Sequence, residues 1–340
     1  MLNEANPPAS LCIRCGQCDG YPCLVHAKAD ADIIAVRPLL SRLNVTLLVN
    51  AEVRRLETDP RGQSVAKVIV HRGTAREEYS GDIVVLAAGA VNSAKVLLQS
   101  ASDRCPAGLA NGSGQVGRNY MCHTSTDVVA LGEKPNETVF QQTLGINAFY
   151  LPNESRRVSY PPGNSRRWPL GSIQMLPRAG QPAEAHGATW CDGPGKPDVK
   201  DRAVGFRLTT EDLPRPGNRV TVDRDGRPHL AYAVTNGGEA AILRHELETM
   251  LAHADLRVAS GDTLPAAGLP GDAIADQAGT CRFGTDPETS VLDVNCKAHE
   301  LDNLYVADAS FLPSVGAVGP ALTVMANAIR VGEHLAHRLR

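Results

Sequence analysis

The stretch Asn303-Leu-Tyr-Val-Ala-Asp-Ala-Ser310, continued by Pro313 to Thr323 and an apolar run towards the C-terminus, decides the fold class. A short aliphatic and aromatic run that ends on a carboxylate and two small residues reads as a strand over residues 304–307. The Gly- and Pro-bearing turn behind it opens into an apolar helix over residues 321–337. Upstream, Asp82-Ile-Val-Val-Leu-Ala-Ala-Gly-Ala90 repeats the pattern as a buried strand over 82–90, followed by a helix over 93–100. Such a turn sets the N–H groups of a helix N-terminus beside a glycine, where a ligand's backbone can approach closely. Either unit alone fits any α/β protein.

Between and around these units the pattern varies. A helix is expected from Asp30 through Leu39-Leu40, with Asp30 or Asp32 as its cap. The run Val45-Thr-Leu-Leu-Val49 reads as a strand, as do residues 52–57 and 65–70. From about Cys122 to Leu269 short alternating stretches such as 206–210 and 219–223, separated by Gly and Pro, indicate a mainly antiparallel layer with one helix over 238–252. The expected architecture is therefore α/β with α+β character overall. Residues 1–121 and 270–340 form the two parts of one domain, and 122–269 form a domain inserted between them.

Bulk properties exclude several classes. The 340 residues can bury a sizeable core, and 43% hydrophobic with 21% charged residues is ordinary globular composition. A net charge of −3 without a concentrated Lys/Arg tract gives no reason to expect nucleic acid as a partner. The start lacks a basic segment followed by an apolar one, and no window offers the ~18 consecutive apolar residues of a membrane span. No membrane partner and a cytoplasmic location are the expectations, with small molecules as partners.

Nine cysteines, an odd and unevenly placed set, argue against a secreted disulfide framework. Four lie close together, Cys12-x2-Cys15-x2-Cys18-x4-Cys23. Four thiolates at such spacing could ligate zinc or an iron-sulfur cluster. The final gap departs from the ferredoxin run, and a turn-rich loop of free thiols is the favoured reading, with no metal.

In order along the chain, these pieces resemble the glucose-methanol-choline (GMC) flavin oxidoreductase family. The similarity is carried by Gly279-Thr280, Arg282, Gly284, Asp286-Pro287, Ser290-Val291, Asp293, Asn303 to Val306, Asp308-x-Ser310, Pro313 and the Thr323-bearing helix. Gly89 to Ser102 is similar to the family's second signature. Val116-Gly-Arg-Asn-Tyr-Met-Cys-His123 is similar to its Val-Gly-x-Asn-x-x-x-His segment. The family's Cys-containing loop before an Ala-Lys pair resembles residues 12–28, which further disfavours a metal.

The resemblance implies FAD as cofactor and oxidation of a CH–OH group in an alcohol or sugar. A base takes the hydroxyl proton while the carbinol hydride passes to the flavin. It places Val53 by the adenine, Gly89 and Asn92 near the dinucleotide, Asp308 and Ala309 near the pyrophosphate and ribityl chain, and Pro320 and Thr323 in the flavin-facing loop. Asp276 stands where the family carries its histidine base, and Gly319 where it carries Asn or His. Those two positions mark the catalytic locations, both altered. The family's opening strand, Gly-x-Gly-x-x-Gly turn and helix are not found in this chain. The incomplete Rossmann-like domain would then need a separate N-terminal FAD-binding polypeptide, and the alternative to an enzyme is an inactive truncated fragment or subunit.

Overall fold

The computed structural model describes residues 6, 8, 10–13, 15, 23–136, 144–150, 170–176, 202–258 and 275–340. They fall into two compact units. The first gathers Met1–Thr46, Thr124–Glu211 and Asn236–Ile274, and the second Leu47–His123, Asp212–Thr235 and Ala275–Arg340. Residues 212–235, although they interrupt the antiparallel stretch in sequence, thus group with the second unit.

Early in the chain, Asp32–Val36 forms one wide π-helical turn that runs into a three-residue helix α1, Arg37–Leu39. The Ile33 N–H donates to Asp30 Oδ1 at 2.9 Å, so the expected cap forms. The helical run covers residues 31–39, close to the expected span, but its middle is π-helical and none of residues 32–39 is buried. The strand expected over residues 45–49 is absent, with Leu47 57% and Val49 63% exposed. Strand propensity measures fit to a pleated, half-buried surface, and among the described residues no ladder neighbours this run.

The second unit opens with an antiparallel meander of β1 (Glu52–Thr58), β2 (Val65–Arg72) and β3 (Ala75–Tyr79). Leu56, Val65, Ile69 and Val70 are its buried side chains. Strand β4 (Val84–Leu86) is shorter than the expected 82–90, because Gly89 turns to φ +82° and starts helix α2 (Gly89–Gln99). Ala90, Ser93, Ala94, Val96 and Leu97 form the buried face of α2. Ala94, fully buried, is a small residue that permits close packing.

Strand β5 (Met121–Leu131) leaves the second unit after His123 and carries the chain into the first. There β6 (Gly145–Ile146), β7 (Ser172–Met175) and β8 (Ala203–Thr210) join it in an antiparallel sheet. Asp127 and Arg207 sit directly opposite on β5 and β8 and bond through both carboxylate oxygens at 2.9 Å each. The hairpin of β9 (Arg219–Val222) and β10 (Pro228–Ala231) returns to the second unit. Helix α3 (Gly237–His253) then lays Leu243, Leu247 and Leu251, four apart on one face, on a core with Val128, Ile173, Phe206 and Leu208. Strand β11 (Arg257–Val258) extends the sheet to the order β11-β5-β8-β7-β6.

The last segment belongs to the second unit. Strand β12 (Ala275–Ala278) pairs with the start of β5, and β13 (Leu304–Val306) runs parallel to β4. A 3-10 turn, Ala309–Phe311, leads to helix α4 (Ala321–Arg338). All three residues of β13 are fully buried. Among the described strands the fold is thus mixed, with β4 and β13 parallel and the other strand pairs antiparallel. Among the described residues no helix is long and apolar enough to cross a membrane.

Candidate active site

Asp308 ends the β13 strand-turn and is the hub of the second unit. Its Oδ2 accepts from the Gly89 N–H at 2.9 Å and from Ser93 Oγ at 2.5 Å. Its Oδ1 accepts from the Ser310 N–H at 2.8 Å and from the Ser310 hydroxyl. Four donors occupy a carboxylate that is only 8% exposed. The side chain therefore locks the α2 N-terminus to the 308–311 turn, and any ligand there meets the backbone around Asp308. A third segment is stitched to the same place. Thr280 Oγ1 donates to the Ala90 carbonyl at 2.6 Å, and the N–H groups of Gly279 and Cys281 donate to the carbonyls of Ala309 and Ser310.

Neither Ala88 nor Pro320, the N-caps of α2 and α4, brings a capping side chain. Apart from the Gly89 N–H, which Asp308 takes, the first-turn N–H groups of the two helices are thereby suited to an acceptor from outside. A Cβ added to Gly89 or Gly319 would meet nothing within 4 Å, so space lies over each. Gly89, Asn92, Asp308 and Ala309 meet at the carboxyl ends of the parallel pair β4 and β13, the end where such sheets receive ligands. Pro320 and Thr323 lie at the start of α4, Pro320 buried and Thr323 exposed. Val53 is half-buried on β1, opposite Val70.

The Gly-x-Gly-x-x-Gly spacing does occur once, at Gly112-Ser-Gly114-Gln-Val-Gly117, but in turns that lead into a strand instead of between a strand and a helix. Its amides are already spent. Those of Gly112, Gly114 and Gly117 donate to Glu300 Oε1, the Asn111 carbonyl and the Thr280 carbonyl. This run is a knot of turns with no cradle for a pyrophosphate.

Asp276 and the Gly319 loop are joined by a residue that spacing alone did not nominate. The pairing of β12 with β5 slips between Ala275, opposite His123, and Ala278, opposite Met121. Asp276 lies in that bulge at φ +54°, a left-handed conformation that Asp tolerates better than most residues. There its Oδ2 lies 2.7 Å from His123 Nδ1. On its other side the imidazole reaches the Gly316 carbonyl, Nε2 to O 2.5 Å. The His123 side chain is 4% exposed and that of Asp276 37%.

A buried carboxylate fixes the backbone behind this bridge. Asp212 Oδ2 accepts from the Cys122 N–H at 3.1 Å and the Tyr232 hydroxyl at 3.0 Å, and Thr235 donates to Oδ1. The Asp212 N–H donates to the Val315 carbonyl at 3.3 Å. Burial pushes the Asp212 carboxyl above the usual carboxylate range, partly offset by these donors, and pushes the Cys122 thiol up to about 11. The readable signal for His123 was its place at the end of the Val116 to His123 segment.

Two further histidines make no contact with this bridge: His245 is exposed on α3, and His299 is half-buried, with Nε2 2.9 Å from the buried Ser290 Oγ. Of the cysteine loop, Cys12, Cys15 and Cys23 form no disulfide among the described residues, while Cys18 lies outside them.

Two family models, both described as GMC oxidoreductase, match residues 4–125 and 214–328, which together cover more than half of the chain. The chain belongs to the GMC oxidoreductase family. Among curated relatives, this GMC chain is 28% identical to paromamine 6'-oxidase of Streptomyces fradiae, over 98% of the chain and 62% of the relative. It is 30% identical to 2-methyl-1,2-propanediol dehydrogenase of Mycolicibacterium austroafricanum, over 88% of the chain and 56% of the relative. The solved pyridoxine 4-oxidase from Mesorbium loti superposes with a TM-score of 0.62 at 22% identity, covering 94% of the chain and 62% of that structure, which supports the fold. The GMC chain therefore spans about three-fifths of the length of the relatives it matches.

Proposed function

We propose that this chain supplies the substrate-oxidising part of an FAD-dependent oxidoreductase that acts on the CH–OH group of a small alcohol or sugar. The observation that carries the reading is the knot around Asp308. It holds the N-terminus of α2, the 308–311 turn and the 279–281 segment together at the carboxyl ends of β4 and β13. That end, with space over Gly89 and Gly319, fits a polar, elongated ligand such as FAD.

Gly89, Asn92 and Ala309 would hold the dinucleotide by backbone and amide contacts, Pro320 and Thr323 its flavin end, and Val53 its adenine. When bound, FAD supplies a two-electron hydride acceptor. The chain's own part is to orient the carbinol carbon, exclude water and take the hydroxyl proton at the Asp276 and Gly319 locations. The names of the relatives, oxidases and dehydrogenases of hydroxyl compounds, favour such substrates.

The amides of Gly112, Gly114, Val116 and Gly117 are committed internally, so the pyrophosphate would be held by a further FAD-binding segment outside these residues. The test is a visible spectrum of the purified chain with FAD, alone and with a GMC Gly-rich N-terminal half supplied. Flavin bands at near stoichiometry that bleach anaerobically with an alcohol or sugar are expected in the second mixture. A colourless protein in both would overturn the reading in favour of an inactive fragment.

A further inference from the structure

We propose that His123 is a positioning residue that turns Asp276 into the proton acceptor for the substrate hydroxyl. This deepens the proposed oxidation of a CH–OH group and rests on it. A carboxylate is a weaker base than the imidazole the family carries at this position, so a lone Asp276 would look like a lost catalyst. The structure places an imidazole behind it instead. His123 Nδ1 holds Oδ2 at 2.7 Å, and among the described residues Oδ1 has no partner on a side chain that is 37% exposed. One oxygen is thus fixed and the other is open to a hydroxyl.

The support behind the pair has the form that a positioned general base requires. His123 is buried, and its second nitrogen is held by the Gly316 carbonyl, so the ring cannot swing away from Asp276 without losing two partners. Asp212 fixes both neighbours of that bridge, through the Cys122 N–H on β5 and the Val315 carbonyl before Gly316. The same ring ties β12 to the loop that carries Gly319, so the two catalytic locations are held in one frame. Asp276 itself sits in a bulge at φ +54°, a backbone feature that aims a side chain out of a ladder.

The step balances as follows. The substrate O–H bond breaks and its proton passes to Asp276 Oδ1. FAD, when bound, would supply the two-electron acceptor for the hydride released as the carbinol C–H bond breaks, and the alcohol would leave as a carbonyl. His123 exchanges no proton with the substrate. Its bond to Oδ2 keeps the carboxylate in one orientation throughout.

The test uses the FAD-loaded protein, with the N-terminal half supplied, and anaerobic flavin reduction by the alcohol or sugar that bleaches the wild type. Asp276→Asn keeps the left-handed backbone, since Asn also tolerates it, and removes the base. Flavin reduction by substrate should fall at least ~100-fold, with FAD absorbance and dithionite reduction unchanged. His123→Leu should lower kcat with little change in KM. His123→Asn, whose amide can replace the Nδ1 donor, should recover most of that loss, to within about tenfold of wild type.

A second readout needs no turnover. In the chain labelled with 15N-histidine, the Nδ1–H signal, one of the imidazole signals that His123→Asn removes, should also be lost in Asp276→Ala, while any signal from the Nε2 side, which faces the Gly316 carbonyl, stays. An Asp276→Asn protein that reduces flavin at the wild-type rate overturns the inference and leaves the proposed function standing. So does a His123 signal that is indifferent to Asp276→Ala. A wild-type FAD-loaded protein that no alcohol or sugar reduces overturns both.

Discussion

Gly279, three residues after Asp276, illustrates how closely single atoms set this site. It holds φ +85°, and a Cβ there would lie 2.3 Å from the Asn119 carbonyl oxygen and 2.4 Å from Met121 Cε. Backbone cannot move aside cheaply, so Gly279→Ala should cost on the order of 3 kcal/mol, read as a lowered urea midpoint. Gly319 is the opposite case, with open space where a side chain would grow. Gly319→Asn should leave the midpoint within about 0.5 kcal/mol of wild type, so any change in substrate oxidation would report chemistry at that position. Thiol reactivity should divide the same way. Burial raises the thiols of Cys122, Cys281 and Cys296, whereas backbone N–H donors, chiefly that of Ala27, lower that of Cys23. Iodoacetamide at neutral pH should modify exposed Cys15 and half-buried Cys23 first, and the three buried thiols only after unfolding, as followed by mass spectrometry. Asp212 adds a pH signature. Its carboxyl is raised in the fold, so the folded state binds more protons than the unfolded state just above the ordinary value of 3.8. Its contribution to stability should decline as pH climbs from there through its raised value.

At the level of elements, strong periodicity was legible and dependence on a neighbour was not. Helix α3 follows from Leu243, Leu247 and Leu251 on one face, and Leu247→Ala should cost about 2–5 kcal/mol in that unit. Strand β13 and helix α4 appear within one residue of where their apolar runs place them. The run Val45 to Val49 carries as strong a strand signal, yet it forms no ladder, because a strand exists only with a partner and sequence pattern does not supply one. Strand β4 ends early because the turn needs Gly89 at positive φ, which pulls the helix start back from Ser93 to Gly89. For the candidate site, the motif residues located Asp308, Asp276 and Gly319. Motif spacing does not reveal that the Asp308 oxygens are consumed internally, nor that His123 stands behind Asp276 across more than 150 residues of sequence. Those facts depend on a bulge and on strand register, which appear only when β12 is laid beside β5.

At the scale of the whole molecule, the second unit carries a parallel pair that is covered unevenly. Parallel strands are ordinarily buried on both faces, and β13 is, with each of its residues fully buried. On β4, Val85 is 46% exposed, and on α4 Leu322 and Ile329 are 76% and 66% exposed. Apolar surface of this kind on a sheet and a helix that flank a ligand-binding end is what a further strand and helix would cover, and the longer relatives have room for such a segment. If a further FAD-binding segment packs over β4, Val85 is the residue whose environment changes from water to core. Val85→Lys should then leave the unfolding midpoint of the chain alone within about 0.5 kcal/mol, since the side chain stays in solvent there. In the complex the same ammonium would be buried without a partner, at a cost of several kcal/mol. FAD uptake in the presence of the supplied half should therefore fall by at least ~100-fold, measured by flavin absorbance in a titration. Uptake equal to wild type would mean that the segment docks elsewhere and that Val85 stays in solvent in the working protein.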